Sequence, residues 1–348
     1  MVYDGLRSIG WNAFFADQIV GQDPASSIVA RVSSHHGTQV VLFGLEGEFR
    51  VPVQNADAAG RVSVGDWVQL EASDQRARLR FERRTILYRQ AAGDGIEPQI
   101  VATNIDTAFI VSSCNDEFNL SRLERYLALA VQADIRPIVI LAKADLHDDA
   151  ASLRSQVESL HAGVEVLTAD VREAEQIQPL RRWCGPGQSV ALLGSSGVGK
   201  STLATTLGAG ELAVGEIREN DAKGRHTTTW RSLLQLPDGG VIVDNPGVRE
   251  IQLPDCEDGL ADVFDDILEL ATQCQFNDCS HQGDKGCAIQ AAIDAGDLDP
   301  RRFANFERLR DEQAAKARRA ADRRASDRKT GRMIKSALAD KKRRRKAR

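Results

Sequence analysis

Residues 193–201 read LGSSGVGKS, and their types suit one task, holding a chain of phosphates. Gly194, Ser195, Ser196, Gly197, Val198 and Gly199 make a glycine-rich turn whose backbone N–H groups can face inward around a β-phosphate. Lys200 then brings a cation to the β- and γ-phosphates, and the Ser201 hydroxyl can ligate Mg2+. Thr202 opens the helix that leaves the loop and completes the phosphate-side set. The loop follows the apolar run SVALLG (189–194), and the dipole of the following helix favours an anion at its start. A plain glycine turn requires none of this context.

Two further stretches fit the same ligand. Asp244-Asn245-Pro246-Gly247 follows the apolar run GVIVD (240–244); the aspartate can hold a Mg2+-bound water, and the Gly247 N–H can sense a γ-phosphate. Between the two motifs lies GRHTTT (224–229), where Thr227 or Thr228 can complete the Mg2+ shell. Upstream, the run IVIL (138–141) leads into Ala142-Lys143-Ala144-Asp145. In an N-K-x-D motif the aspartate accepts from guanine N1–H and N2–H2 while the lysine stem lies over the base. Thr168-Ala169, after VEVL (164–167), stands where a backbone N–H would meet guanine O6. Ala142 replaces the motif's Asn, and AKAD alone reads equally as the capped start of a surface helix. Base motif, phosphate loop, Thr loop and DxxG come in a recut order, which a sheet tolerates when its termini lie close together.

Cys274-x4-Cys279-x-His281-x5-Cys287 offers three thiolates and one imidazole within fourteen residues. Gly283 and Gly286 let the chain fold back on itself, and four protein ligands with no place for water favour a structural Zn2+ over a catalytic one. A redox switch or a chance cluster is the competing reading. Cys114, Cys184 and Cys256 are scattered and read as small buried apolar groups.

The elements that must position these residues follow from pattern. Between 28 and 90, short alternating runs at 28–32, 39–43, 48–53, 66–70 and 77–81 predict a small β-barrel or sandwich. Arg31, Arg50, Arg76, Arg78, Arg80, Arg83 and Arg84 lie in or beside them, as basic edges for an oligonucleotide or as a polar outer face. From 101 onward, strands at 105–113, 138–141, 164–167, 189–194, 229–236 and 240–244 alternate with helices at 121–133, 152–160 and 202–210. That alternation predicts a mainly parallel sheet covered by helices. Ser121 is the expected cap of the first helix, and Asp299 with Pro300 that of a last one.

Residues 301–348 hold 20 Lys/Arg against 6 Asp/Glu, a net of +14, so residues 1–300, with 25 basic and 44 acidic groups, carry −19. A basic tail on an acidic body suggests a polyanionic partner; a solvated disordered tail is the alternative. No run of eighteen apolar residues exists, which predicts no membrane span. The start MVYDGLRSIGW lacks the layout of a signal peptide, so a cytoplasmic location is expected.

With β-barrel, VGDWV (64–68), LERYLALA (123–130), AKAD, GSSGVGKS, GRHTTT, DNPGVRE (244–250) and the Cys/His cluster in this order, the sequence resembles the circularly permuted ribosome small-subunit-dependent GTPases, family A. The resemblance covers nearly the whole chain. It implies an α/β fold in which a circularly permuted P-loop GTPase domain (96–255) follows an N-terminal arm and OB-like β-barrel (1–95). A zinc module (256–300) and a basic helical or disordered tail (301–348) complete it. It further implies GTP hydrolysis to GDP stimulated by the small ribosomal subunit during its late maturation, with rRNA contact, by a monomer carrying Mg2+ and one structural Zn2+. Val248, after DxxG, cannot orient water, so His226 is the implied water-positioning group beside the catalytic Lys200 and Thr228; a mere polar loop residue is the other reading. Two other classes stay open, a P-loop ATPase or kinase and a nucleotide-gated RNA-binding module with negligible turnover.

Overall fold

A computed structural model of the protein describes residues 3–19, 26–90, 98–115, 117–209, 232–244, 253–319 and 321–322. His226, Thr227, Thr228, Gly247, Val248 and most of the basic tail lie outside the described residues.

The five alternating runs form β1 (Ser27–His36), β2 (Gln39–Gly44), β3 (Gly47–Pro52), β4 (Trp67–Glu71) and β5 (Ala77–Arg80). β1 pairs antiparallel with β2 on one side and β4 on the other; β3 extends β2, and β5 extends β4. A register shift between Val32 and Ser34 lets the long β1 serve both neighbours. Ala30, Val32, Val40, Leu42, Val68 and Leu70 fill the inside, which makes a five-stranded, partly open barrel. The VGDWV turn closes against Thr103, whose backbone N–H donates to Val64 O at 3.0 Å. Gly65 has φ +94°, and a Cβ there would sit 2.1 Å from the Thr103 carbonyl oxygen, so only glycine fits. Asp66 is buried and accepts from Thr103 Oγ1 at 2.7 Å and from Arg83 at 2.7 and 2.6 Å.

The arginines of this region divide. Arg50, Arg76 and Arg78 are exposed, as basic edges require. Arg31 is fully buried instead, because four acceptors from distant segments converge on its guanidinium: Ile9 O (2.6 Å), Ser189 Oγ (2.7 Å), Asn104 O (3.0 Å) and Gly65 O (3.2 Å).

β6 (Ile86–Gln90) and β7 (Pro98–Thr103) make a separate antiparallel ribbon spanning residue 95. Seven residues (91–97) part its strands, longer than the tight turns that announce a hairpin in sequence.

The predicted alternation appears as β8 (Thr107–Ser113), β9 (Arg136–Ala142), β10 (Glu165–Ala169), β11 (Ser189–Leu193), β12 (Ser232–Gln235) and β13 (Val241–Asp244). Their order is β10-β9-β8-β11-β13-β12, parallel except for β12. Every residue of β8 and β11 is buried, as strands covered on both faces require. From β8 the sheet grows outward through β9 to β10, and from β11 through β13, so the switch point lies between β8 and β11. Ser34 opposite Ser232 joins the barrel to the edge strand β12.

Helix Leu120–Gln132 follows β8. Its cap is Asn119, extended at φ −151°, whose Oδ1 accepts from Arg122 N at 2.9 Å. The expected cap Ser121 lies inside the first turn, and its hydroxyl accepts from Arg301 at 3.1 Å. A helix over 300–319 starts at Asp299, whose Oδ1 accepts from Arg301 N at 2.8 Å. Phe303, Phe306 and Leu309 are its buried stripe, with Phe306 against Phe264 at 5.4 Å between ring centres.

Candidate nucleotide site and metal centre

The parallel strands deliver their C-terminal ends to one edge of the sheet. β11 runs into the glycine loop, where Gly194 (φ +136°), Gly197 (+83°) and Gly199 (+112°) all adopt left-handed backbone. Gly194 has no alternative, since a Cβ would lie 2.2 Å from the carbonyl oxygen of Val111 on β8. Lys200 starts helix Lys200–Thr206 and is buried. Its Nζ donates to the carbonyls of Gly194 (2.8 Å) and Ser195 (2.5 Å), spanning the loop it closes. Burial pushes the Lys200 ammonium below the ordinary lysine range, and the Asp244 carboxylate works against that. Asp244 comes close because β13 lies directly beside β11, Ala191 opposite Val243. Ser196, Ser201 and Thr202 are exposed along the loop and first turn, while Val198 is buried beneath it.

The base-side residues arrive on the adjoining strands. Parallel pairing sets Ala169 beside Ala142 and Thr168 beside Leu141. Lys143 adopts left-handed φ +57°, and its Nζ donates to Gly197 O at 2.9 Å, which ties AKAD to the phosphate loop. Ala142 is buried, with its Cβ 3.8 Å from where a Cβ on Gly199 would stand. An apolar methyl thus fills the place of the missing amide. Asp145 accepts from Arg172 at 3.1 Å, and Arg172 also grips Asp170 at 2.6 Å. The contact of Arg172 with Asp145 carries no signal in the sequence, because it forms only where two loops meet. The Thr168 hydroxyl is buried with no hydrogen-bond partner. The Ser195 hydroxyl accepts from Arg122 Nη1 at 2.8 Å.

The four ligand atoms of Cys274, Cys279, His281 and Cys287 lie within 4.8 Å of one another. The Cys274 and Cys287 sulfurs each stand 3.6 Å from His281 Nδ1. A tetrahedral Zn2+ with ligand bonds of about 2.3 and 2.1 Å spaces its ligands about 3.6–3.8 Å apart, so the donor set fits that ion. Backbone N–H groups of Ala288 and Gln290 donate to the Cys274 and Cys287 sulfurs at 3.4 Å each, fixing them in place. Asp284 braces the loop by accepting from Ser280 N and Oγ, both at 2.7 Å. Gly286 approaches Gln275 so closely that a Cβ would meet its Oε1 at 2.4 Å. Cys114, Cys184 and Cys256 are buried, as expected.

A glycine loop between a buried parallel strand and a helix, with the base-side loops on strands that precede it in the chain, defines a circularly permuted P-loop α/β protein carrying a Cys3His module. A family model described as RsgA GTPase matches residues 80–254. The chain belongs to that family and is a GTP-hydrolysing enzyme. It is 45% identical over 340 residues to Small ribosomal subunit biogenesis GTPase RsgA 2 of Vibrio parahaemolyticus, covering 97% of this chain and 94% of that protein. A relative from Mesorhizobium japonicum, Small ribosomal subunit biogenesis GTPase RsgA, is 44% identical over 88% of this chain and 89% of its own length. The fold is similar to the crystal structure of YjeQ from Thermotoga maritima, with TM-score 0.59, 20% identity, 83% of this chain and 99% of that one. It is also similar to YloQ, described as a circularly permuted GTPase, with TM-score 0.58, 20% identity and coverage of 83% and 96%.

Proposed function

We propose that this chain is a ribosome-biogenesis GTPase that docks on the small ribosomal subunit late in its maturation and turns over GTP fastest when docked. The observation that carries the reading is the convergence of the glycine loop, Asp244, AKAD and Thr168-Ala169 on one edge of the sheet. The names of the relatives supply the partner.

In this reading the amides of residues 194–199 cradle the β-phosphate, and Lys200 exchanges the carbonyls of Gly194 and Ser195 for phosphate oxygens. Ser201, Thr228 and Asp244 would hold Mg2+, which when bound neutralises charge on the β- and γ-phosphate oxygens. Gly247 senses the γ-phosphate. Asp145 accepts from guanine, the Lys143 stem covers the base, and the Ala169 N–H meets O6. Ala142 adds no hydrogen bond, so the tie between base loop and phosphate loop rests on Lys143. His226 orients the attacking water, a role an apolar Val248 cannot fill. Cys274, Cys279, His281 and Cys287 hold one structural Zn2+. The segments 1–95, 96–255, 256–300 and 301–348 act as barrel, GTPase domain, zinc module and basic tail. Exposed Arg50, Arg76 and Arg78, the zinc module and the tail face rRNA, and the protein works in the cytoplasm as a monomer.

The deciding experiment is steady-state turnover of GTP and ATP with and without purified small subunits, on the native chain and on His226→Ala. GTP should be preferred over ATP by about two orders of magnitude, because Asp145 faces an acceptor in adenine. Subunits should raise GTP turnover, and His226→Ala should lower the raised rate by about 100-fold while GTP binding persists. Turnover indifferent to subunits would leave a nucleotide-gated RNA-binding module as the reading, and equal use of ATP would leave a P-loop ATPase.

A further inference from the structure

Helix Leu120–Gln132 touches the phosphate loop at one side and the C-terminal helix at the other. On the first side, Arg122 Nη1 donates to Ser195 Oγ at 2.8 Å, and the buried Tyr126 phenol, one turn on, shares that hydroxyl. Ser195 is also the residue whose carbonyl accepts from Lys200 at 2.5 Å. The side chain that fixes Ser195 therefore bears on the lysine of the phosphate loop.

On the other side, Glu124 is fully buried. It accepts from Arg301 at 3.0 and 3.1 Å, Arg302 at 3.0 Å and Asn305 at 2.5 Å, all on the helix over 300–319. Arg302 also donates to Leu160 O (3.1 Å), Val263 O (2.7 Å) and Asp266 (2.8 Å), which joins that helix to the zinc module's flank. Further along, Arg125 pairs with Glu312 at 2.8 Å, and Lys316 reaches the carbonyl of Leu253, nine residues after Asp244.

Two positions apart at 3.6 residues per turn, Arg122 and Glu124 lie about 160° apart around the helix axis. Both lie in one continuous helix, Leu120–Gln132, whose rise per residue is fixed. We infer that helix Leu120–Gln132 is a transmission element, with Arg122 a positioning residue for the phosphate loop and Glu124 the point where the C-terminal helix sets the position of Arg122. This inference rests on the proposed docking of the zinc module and tail on the subunit. Force at that docking face would reach Ser195 and Lys200 through two side chains rather than through the segments that carry His226 and Gly247.

The test is a double-mutant cycle on the full-length zinc-loaded chain, without subunits, using Arg122→Ala and Arg301→Gln. Both side chains are partly or fully exposed, so both variants should fold. The readouts are the GDP release rate and hydrogen exchange of the peptide covering 194–206. Each single variant should change both by about three- to thirtyfold, and the double variant should change them no more than the larger single one. Arg122→Lys should restore most of the native behaviour, since an ammonium can still donate to Ser195. An Arg301→Gln variant with native release and exchange overturns the inference, as do additive effects in the double variant. Glu124→Gln should reproduce the Arg301→Gln result if it folds. Because no subunit is present, the cycle stands or falls apart from the docking reading, which the turnover of the native chain with subunits decides.

Discussion

The GTPase sheet is joined to its two neighbours by opposite means. At the barrel junction the buried cation Arg31 hydrogen-bonds to neutral oxygens, from the N-terminal arm, the VGDWV turn, Asn104 and the start of the phosphate-loop strand, with the Asp66 carboxylate acting on it at longer range. Burial pushes the Arg31 guanidinium down to about 9, which leaves it charged at neutral pH. The Trp67 ring lies 5.6 Å from that guanidinium, and Trp11 packs edge-to-face on Trp67 at 4.8 Å and on Phe81 at 5.5 Å. At the C-terminal junction cations meet carboxylates: Arg301 and Arg302 on Glu124, Arg302 on Asp266, Arg125 and Lys316 on Glu312. The hydrogen bonds of Arg31 end on acceptors set by the backbone and one hydroxyl, and the Asp66 carboxylate that acts on it at longer range is itself buried and held by Arg83 and Thr103. Ion pairs at a partly wet seam respond to pH, salt and competing phosphates. The barrel junction is built to hold and the C-terminal junction to adjust.

The largest effect should come from taking away the metal proposed for the Cys3His module, since structural Zn2+ contributes on the order of 10 kcal/mol of local folding free energy. Chelation or Cys279→Ala should unfold 270–290 and release the helix over 300–319, whose Phe303 stacks edge-on against His281 at 6.2 Å. Nucleotide binding should persist. Limited proteolysis with nucleotide titration checks this, and loss of nucleotide binding with the metal would erase the distinction between the junctions.

Arg31→Met comes next. It strands three carbonyls and a hydroxyl in a dry interface, at a cost of about 3–5 kcal/mol. Because the acceptors belong to four segments, denaturant unfolding should shift as one cooperative transition. A separate early barrel transition would show the junction to be adjustable after all.

Glu124→Gln should cost less, about 1–3 kcal/mol, because an amide keeps some acceptance and Arg301 can turn toward water. The loss should show as faster hydrogen exchange over 300–319 and, through Arg122, over 194–206, with the barrel unchanged.

The smallest effect is acid sensitivity. Burial alone would raise the Glu312 carboxyl, but hydrogen bonding and charge from Arg125, with Lys316, bring it below the ordinary 4.5. A depressed carboxylate contributes stability that is complete above its unfolded value and lost as pH falls through the folded one. Below about pH 4.5 the C-terminal helix should therefore lose exchange protection before the strands around Arg31 do. Simultaneous loss would remove the contrast.

Much of this molecule is written in local pattern. Gly194, Gly199 and Lys200 announce a phosphate loop because left-handed backbone, a following helix and a cation are local requirements. Cys274, Cys279, His281 and Cys287 announce a tetrahedral site because their spacing lets one short loop close on itself. The strand alternation announced a parallel sheet because burial on both faces demands unbroken apolar runs. What the tertiary structure alone decided concerns polar side chains. Arg31 stands among barrel arginines that do lie on the surface, yet it is buried, since its acceptors at residues 9, 65, 104 and 189 meet only after folding. Glu124 sits in an amphipathic helix that buries it only because Arg301, Arg302 and Asn305 arrive from 177 to 181 residues away. Arg172 on Asp145 and Arg122 on Ser195 likewise join loops that no spacing rule connects. Apolar burial follows from transfer free energy, which each residue carries in its own side chain. Burial of a charge depends on partners, and those are supplied by topology.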